Sequence, residues 1–241
     1  MPEPPEAILF DLDDTIIEFE AVAGPAWEEV TRRFAREFGG VPPERVHRSI
    51  TAVSRAWWSD PERHRQGRLD LANTRRANVA EALRALAIGD DGAPESLSRR
   101  LAAAFTEART AAIRPFAGAV ETLRHFASAG VPMALVTNGD AAGQRAKIER
   151  FDLAGFFRSI VIEEEFGAGK PDERVFRHAL AALAATPQQA WMVGDNLRWE
   201  IEPCRRLGLH TVWVDVLGQG LPEDAPAAPH RTVRAIAELA R

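Results

Sequence analysis

Ala7–Ile16 reads AILFDLDDTI, four apolar residues followed by an acidic turn. The run Ala7–Phe10 has the length and composition of a buried strand. Similar apolar runs recur downstream and each ends in polar residues: Pro132–Val136, Ser159–Ile162, Trp191–Val193 and Thr211–Val214. Segments with helical periodicity lie between the later runs. This alternation predicts an α/β fold, a doubly wound parallel sheet with helices on both faces.

The interval between the first two strands is too long for a simple connection. Residues 17–115 contain no convincing strand. They are predicted to form four helices, at Pro25–Phe38, Pro43–Trp58, Leu69–Leu86 and Ser96–Ile113. One helix is enough to join two parallel strands. We therefore expect an all-helical domain over residues 17–115, inserted into a core formed by residues 1–16 and 116–241. A short helix, Thr232–Ala240, is predicted to end the chain.

Charge and composition exclude several classes of protein. The 241 residues carry a net charge of −5 with a pI near 5.8, which argues against a nucleic-acid partner. No apolar run approaches the roughly 18–20 residues that span a bilayer, and the first residues do not resemble a secretory signal. The single cysteine, Cys204, cannot form an intramolecular disulfide. We expect a cytoplasmic monomer or homodimer with no membrane partner.

Lysine is unusually scarce. Of the 30 basic residues, all but two are arginine, and the exceptions are Lys147 and Lys170. An ammonium group is a compact point charge on a flexible stem, which some sites require. For Lys147, sequence drift is the simpler interpretation.

Polar residues follow four successive strands. The first strand leads into Asp11–Thr15, and the others lead into Thr137–Gly139, Gly169–Pro171 and Gly194–Asn196, with Glu200 just beyond. Ligands of such sheets bind beyond the carboxyl ends of the strands. The sequence therefore predicts carboxylates, a hydroxyl group and one ammonium group together at one edge of the sheet.

This set of groups suits a dianion and a metal ion. Clustered carboxylates repel one another unless a cation joins them, and hard oxygen ligands suit Mg²⁺. Thr137, the backbone amides around Gly139 and Lys170 are suited to phosphate oxygens. A carboxylate beside the metal can attack phosphorus and form an acyl phosphate. The residues thus indicate chemistry on a phosphate ester.

Together the motifs resemble those of the haloacid dehalogenase-like (HAD) superfamily of hydrolases. The resemblance covers nearly the whole chain and rests on Phe10–Thr15, Val136–Gly139, Gly169–Pro171 and Val193–Asn196. The predicted insert is similar to the helical cap that this superfamily carries after its first motif. FDLDDTI and VTNG look like the phosphatase branch. Pro115–Gly118 leading to Thr137–Gly139, followed by Glu163–Pro171, looks similar to the corresponding segments of phosphatases of nucleotides and of sugar or acylneuraminate phosphates.

The resemblance implies roles for particular residues. Asp11 would be the nucleophile, and Asp13 would be the general acid for the leaving alcohol and then the base for water. Asp11, the backbone carbonyl of Asp13, and Asp195 would hold Mg²⁺. Lys170 would neutralise charge during the reaction. The residues that would bind phosphate are Thr137, Asn138 and Lys170.

The expected function is Mg²⁺-dependent hydrolysis of a small phosphorylated metabolite, of nucleotide or sugar-phosphate type, through an aspartyl phosphate. Asp13 argues against a dehalogenase, and residues 17–115 lack the lysine that a phosphonatase needs. A phosphoryl-transfer mutase, a phosphoaspartate signalling module and a ligand-binding relative without turnover remain alternatives. Glu200 stands where the family usually has aspartate, which leaves its role open.

Overall fold

The computed structural model describes residues 5–89 and 93–240. The chain forms two compact units. One combines the described residues up to Glu18 with those from Arg114 onward, and the other spans Phe19–Ile113. The first unit is built on a parallel sheet and the second is helical. No described helix has the length and apolar character needed to cross a membrane.

The helical unit has one more α-helix than the sequence predicts. Its helices are α1 (Ala23–Arg33), α2 (Pro43–Ser59), α3 (Pro61–Gly67), α4 (Leu71–Ala85) and α5 (Ala93–Ala112), with a 3₁₀ turn at Ala35–Glu37. The additional helix, α3, begins because the Asp60 side chain accepts the N–H groups of Glu62 and Arg63. The Asp70 side chain caps α4 in the same way. Two aspartate caps thus divide the segment after α2.

This unit has its own hydrophobic core. The rings of Trp27 and Phe105 stack with their centroids 4.0 Å apart and join α1 to α5. Val30, Ile50 and Leu83 are fully buried around them. Burial of apolar side chains is the main stabilising contribution to folding, so this cluster accounts for the unit's compactness.

The other unit contains a six-stranded parallel sheet. The strands are β1 (Ala7–Phe10), β2 (Met133–Thr137), β3 (Ser159–Ile162), β4 (Ala190–Gly194), β5 (His210–Val214) and β6 (Arg231–Val233), in the order β3-β2-β1-β4-β5-β6. The direction of winding reverses between β1 and β4, which are neighbours. This confirms the predicted doubly wound α/β fold and places its switch point beside β1.

Helices connect these strands. They are α6 (Ala119–Ser128), α7 (Ala141–Arg150), α8 (Glu163–Phe166), α9 (Glu173–Leu183) and α10 (Glu202–Leu207). A π-helical turn, Leu197–Ile201, precedes α10, and 3₁₀ turns occur at Ala154–Phe156, Pro187–Gln189 and Ile236–Ala240. In α9, Val175, Phe176 and Leu180 are buried in the same cluster as Leu9 of β1 and Met192 of β4.

The end of the chain differs from the prediction. The expected helix Thr232–Ala240 is wrong, because Arg231–Val233 adds strand β6 to the edge of the sheet and only Ile236–Ala240 is helical, as a 3₁₀ turn. A three-residue strand shows no periodicity in sequence. Its conformation depends on hydrogen bonds to β5, which local sequence does not encode.

The helical unit leaves the sheet unit and returns to it at adjacent points. Ile17 and Pro115 form an antiparallel bridge. On either side, the Glu18 N–H donates to the Arg114 carbonyl at 2.9 Å, and the Phe116 N–H donates to the Ile16 carbonyl at 3.0 Å. The two connecting segments are therefore paired with each other within the sheet unit.

Candidate active site

The sheet sets the positions of the first two carboxylates. Asp11 directly follows β1, and its N–H donates to the Val193 carbonyl at 3.0 Å, which extends the pairing of β1 with β4 by one residue. Asp195 directly follows β4. Because the strands are parallel neighbours, both side chains lie at the carboxyl-end edge of the sheet. Thr137, the last residue of β2, lies at the same edge.

Lys170 lies between two buried carboxylates. Its Nζ is 2.5 Å from Asp11 Oδ1 and 2.6 Å from Glu200 Oε1. The side chains of all three residues are nearly inaccessible to solvent, with exposures of 3% for Lys170, 6% for Asp11 and 3% for Glu200. The ammonium group therefore fixes the orientation of Asp11 from a buried position.

One lysine does not balance the acidic groups around it. Burial raises the pKa of Asp11, although the Lys170 ammonium group opposes the shift. Burial and the neighbouring carboxylates of Glu200 and Asp11 raise the pKa of Asp195 well above its usual value. Burial lowers the pKa of Lys170, but Asp11 and Glu200 outweigh that effect and raise it overall. Raised carboxylate pKa values mark a cluster in which negative charge lacks compensation.

The same cluster fits a divalent cation. Asp11, Asp195 and Glu200 each offer a carboxylate oxygen, and these oxygens lie within 4.8 Å of one another. Asp11 Oδ2 is buried and has no hydrogen-bond partner among the described residues. A buried acceptor without a partner is costly unless a donor or a cation satisfies it. The donor set consists of hard oxygens, which suits Mg²⁺.

Glu200 reaches this cluster because of the turn that carries it. The Asn196 carbonyl accepts the N–H of Ile201 at 3.2 Å, the spacing of a π-helical turn. Glu200 Oε2 accepts the Asn196 N–H at 3.0 Å, so both of its oxygens are hydrogen-bonded. A Cβ atom on Gly194 would lie 1.9 Å from Glu200 Oε2. The absence of a side chain at Gly194 therefore makes room for the carboxylate.

The loop that carries Lys170 is held by Asn138. The Asn138 Nδ2 donates to the Lys170 carbonyl at 2.9 Å, and its Oδ1 accepts the Lys170 N–H at 2.7 Å. A Cβ atom on Gly169 would lie 2.8 Å from Asn138 Oδ1, so the close approach needs glycine there. The Asn138 side chain positions Lys170 in this structure, and direct contact of Asn138 with phosphate remains a prediction.

The segment after β2 differs from the prediction in one respect. The Gly139 N–H, expected to be available to phosphate, donates to Glu163 Oε2 at 3.0 Å. The Thr137 hydroxyl oxygen lies 2.6 Å from Gln144 Nε2 and accepts a hydrogen bond there. An oxygen that accepts from the amide keeps its own O–H for another acceptor. Thr137 therefore retains a donor for a phosphate oxygen, whereas Gly139 does not.

Asp13 lies outside the acidic cluster and contacts two residues of α7. Lys147 Nζ is 2.7 Å from Asp13 Oδ1 and 2.6 Å from Oδ2, and Gln144 Nε2 is 3.0 Å from Oδ2. Asp140 caps the start of this helix by accepting the Gly143 N–H. The interpretation of Lys147 as drift missed this contact. The sequence held two clues to this contact. Lysine is scarce in the chain, and a spacing of three residues puts Gln144 and Lys147 on one helix face.

Comparison with known proteins gives a family match over most of the chain. The sequence profile of the haloacid dehalogenase-like hydrolases matches residues 5–208. A phosphoserine phosphatase of Thermus thermophilus is 40% identical over 149 residues, which are 61% of this chain and 58% of that protein. The chain thus spans somewhat over half the length of that relative.

Two further similarities extend over nearly the whole length. The pyrimidine 5'-nucleotidase YjjG of Escherichia coli is 28% identical, and the match covers 96% of this chain and 95% of the nucleotidase. The crystal structure of the HAD-hydrolase YfnB of Bacillus subtilis bound to magnesium has a TM-score of 0.70 at 20% identity. The superposition covers 97% of this chain and 96% of the YfnB chain. At that identity, the structural similarity shows a shared fold.

Proposed function

This chain belongs to the haloacid dehalogenase-like hydrolases, and from that membership we propose that it hydrolyses a small phosphate monoester, of nucleotide or sugar-phosphate type, with Mg²⁺ as cofactor. It is a phosphatase of this family, as its relatives are. The observation that carries the proposal is the environment of Asp11. One oxygen of this buried carboxylate is held by Lys170, and the other has no hydrogen-bond partner among the described residues.

In the first step, a carboxylate oxygen of Asp11 attacks phosphorus. The new P–O bond to Asp11 forms as the bond to the leaving oxygen breaks, and Asp13 gives that oxygen a proton. In the second step, water attacks the phosphorus of the acyl phosphate while Asp13 removes its proton. Inorganic phosphate leaves, and Asp11 returns as a carboxylate. Asp13 thus regains from water in the second step the proton that it gives to the leaving oxygen in the first.

The residues that would hold Mg²⁺ are Asp11, Asp195 and the backbone carbonyl of Asp13. The ion would neutralise negative charge on the phosphoryl oxygens and among the carboxylates. Support comes from the unpartnered oxygen of Asp11 and from the raised pKa values of Asp11 and Asp195. Glu200 supports this set by holding Lys170, since both of its oxygens already accept hydrogen bonds.

Lys170 and Thr137 would bind the phosphoryl oxygens. A buried ammonium group is a strong donor to an anion, because little solvent competes with it. We assign the helical unit, residues 19–113, the role of the cap that selects the substrate. The similarity to a pyrimidine 5'-nucleotidase over nearly the whole length favours a nucleotide among the candidate substrates.

The test is phosphate release from a panel of nucleotides, sugar phosphates and phosphoserine, measured with Mg²⁺ and with EDTA. Release that EDTA abolishes is expected, and Asp11→Asn should reduce it by at least about 10³-fold, because an amide cannot act as the nucleophile. Asp152→Asn is the matched control. Asp152 is exposed and has a positive φ of 52°, which asparagine tolerates, so its variant should keep full activity.

Three results would contradict the proposal. Release that persists in EDTA would exclude the cofactor, and turnover by Asp11→Asn would exclude the nucleophile. Transfer of the phosphoryl group to a sugar hydroxyl in place of release would favour the mutase alternative.

A further inference from the structure

The two lysines of this chain contact two of the three aspartates in its first motif, Asp11 and Asp13. Lys170 Nζ lies 2.5 Å from Asp11, and Lys147 Nζ lies 2.6 Å from Asp13. Elsewhere the sequence uses arginine for its cations, as in the pair of Arg145 with Glu165 on the same helix as Lys147. The chain therefore has lysine only at the two positions that contact the carboxylates proposed to react.

The contact with Asp13 is well defined. Lys147 Nζ reaches both carboxylate oxygens, at 2.7 and 2.6 Å, and the side chains are only 14% and 22% exposed. Exposed ion pairs contribute little because solvent screens them, but this pair is largely shielded. The helix that carries Lys147 is fixed at its start by the Asp140 cap.

Gln144 restricts Asp13 further. Its Nε2 lies 3.0 Å from Asp13 Oδ2, and it also lies 2.6 Å from both Thr137 Oγ1 and the Asn138 carbonyl. An amide has two hydrogens, so it serves two of these three acceptors at a time. Gln144 thereby links Asp13 to the segment that follows β2.

We propose that Lys147, assisted by Gln144, is a positioning residue that holds the Asp13 carboxyl group for proton transfer. The proposal rests on the function above, in which Asp13 gives a proton to the leaving oxygen and later takes one from water. A carboxylate offers about four lone-pair positions. Lys147 Nζ lies 2.7 and 2.6 Å from the two oxygens and Gln144 Nε2 lies 3.0 Å from Oδ2, so these contacts occupy fewer positions than the carboxyl group offers.

The chemistry of this contact favours lysine over arginine. The planar guanidinium fork binds a carboxylate through two parallel hydrogen bonds and occupies one whole edge of it. The Lys147 ammonium group is a compact point charge, so one nitrogen holds both oxygens, at 2.7 and 2.6 Å, without the space that a planar fork needs. Lys147 thus orients Asp13 through a single atom.

The experiment compares kcat/KM for phenyl phosphate and p-nitrophenyl phosphate. Phenolate needs a proton from Asp13 as it leaves, whereas nitrophenolate leaves readily without one. General acid catalysis contributes typically about 10²–10⁴-fold, so partial misplacement by Lys147→Met should cost about tenfold on phenyl phosphate and about twofold on p-nitrophenyl phosphate. Because kcat/KM reports steps up to phosphoryl transfer, slow hydrolysis of the acyl phosphate does not obscure the difference.

Two further variants complete the design. Lys147→Gln keeps a hydrogen-bond donor without the charge, and it should show the same dependence on leaving group with a smaller loss. Arg145→Met is the matched control, because it removes a cation from the same helix that pairs with Glu165 and not with Asp13. It should change both kcat/KM values by less than about twofold, as surface substitutions usually do.

The outcomes separate this inference from the proposed function. Wild-type protein that releases phosphate from neither ester and from no member of the panel above, with Mg²⁺ present, would overturn the proposed function and this inference with it. Active wild-type protein with an equal loss on both esters in Lys147→Met would overturn this inference alone. If both Lys147 variants lose the circular dichroism of the folded protein, Lys147 holds the fold and the inference is wrong.

Discussion

Gly194→Ala tests whether Glu200 occupies the position described. The added Cβ atom would lie 1.9 Å from Glu200 Oε2 and 2.7 Å from Cδ, far closer than atoms in contact allow. The carboxylate cannot move without loss, because Lys170 and the Asn196 N–H hold its two oxygens at 2.6 and 3.0 Å. We therefore expect the alanine to displace Glu200 and to leave Lys170 paired with Asp11 alone.

The magnitude follows from the two effects of the substitution. Overpacking a core position costs typically about 1–3 kcal/mol. A lost hydrogen bond to a charged group costs about 1.5–3 kcal/mol, partly recovered if Glu200 finds water. We expect the free energy of unfolding to fall by about 2 kcal/mol. In urea, with a slope near 2 kcal/mol per molar, the midpoint would move down by about 1 M.

The assay is a double-mutant cycle in urea. Gly194→Ala, Glu200→Ala and the double variant are unfolded beside the wild type, in the same buffer with EDTA. In the Glu200→Ala background the clash is gone, so Gly194→Ala should cost no more than about 0.5 kcal/mol. Gly155→Ala is the control, since a Cβ atom there would meet nothing within 4 Å.

Two results would refute this reasoning. Gly194→Ala with the stability and phosphate release of the wild type would mean that Glu200 does not lie against Gly194. An equal cost of Gly194→Ala in the presence and absence of Glu200 would mean that the clash involves a different neighbour.

Two further predictions concern the same cluster. Burial raises the pKa of Glu200 from 4.5 to about 7, so the contribution of Glu200 to the stability of the metal-free protein is greatest below pH 4.5 and is lost as the pH rises to 7. Thermal melting in EDTA should show the stability of the wild type relative to Glu200→Gln falling from pH 4.5 to 7, and a rise of that difference would contradict the shift. Asn138→Ala removes both hydrogen bonds that hold the Lys170 backbone, so kcat/KM for phosphate release should fall by about tenfold or more, and an unchanged value would show that Asn138 is not needed to position Lys170.

The sheet was predictable because its strands are continuous apolar runs. Ala7–Phe10 and Ser159–Ile162 have the predicted bounds. The first is an interior strand, buried on both faces. The second lies at an edge of the sheet, but its apolar run is long enough to mark it. Strand β6 was not predictable, because Arg231–Val233 is short and lies at the edge. Thr186–Gln189 (TPQQ) has the sequence pattern of a helix start, but in the structure its capping box starts only the 3₁₀ turn Pro187–Gln189, because strand β4 begins at Ala190.

The candidate site was predictable where its residues directly follow strands. Asp11, Thr137 and Asp195 depend only on strand ends meeting at one edge of the sheet. The contacts of Lys147, Gln144 and Glu163 arise from helices α7 and α8 packing beside that edge, and no short motif encodes such packing. The Gly139 N–H, which was expected to bind phosphate, donates to Glu163 instead. This hydrogen bond depends on the same helix packing and was equally hard to predict.

The paired segments at Ile17 and Pro115 have a consequence for how such a protein can change during evolution. The chain departs and returns at hydrogen-bonded neighbours, so any segment whose two ends lie a few ångströms apart can be spliced between them. The entropy of closing a longer segment rises only by about 0.6 kcal/mol per doubling of its length. Recombination at this junction can therefore replace the whole inserted segment with another one while the register of the six strands stays unchanged.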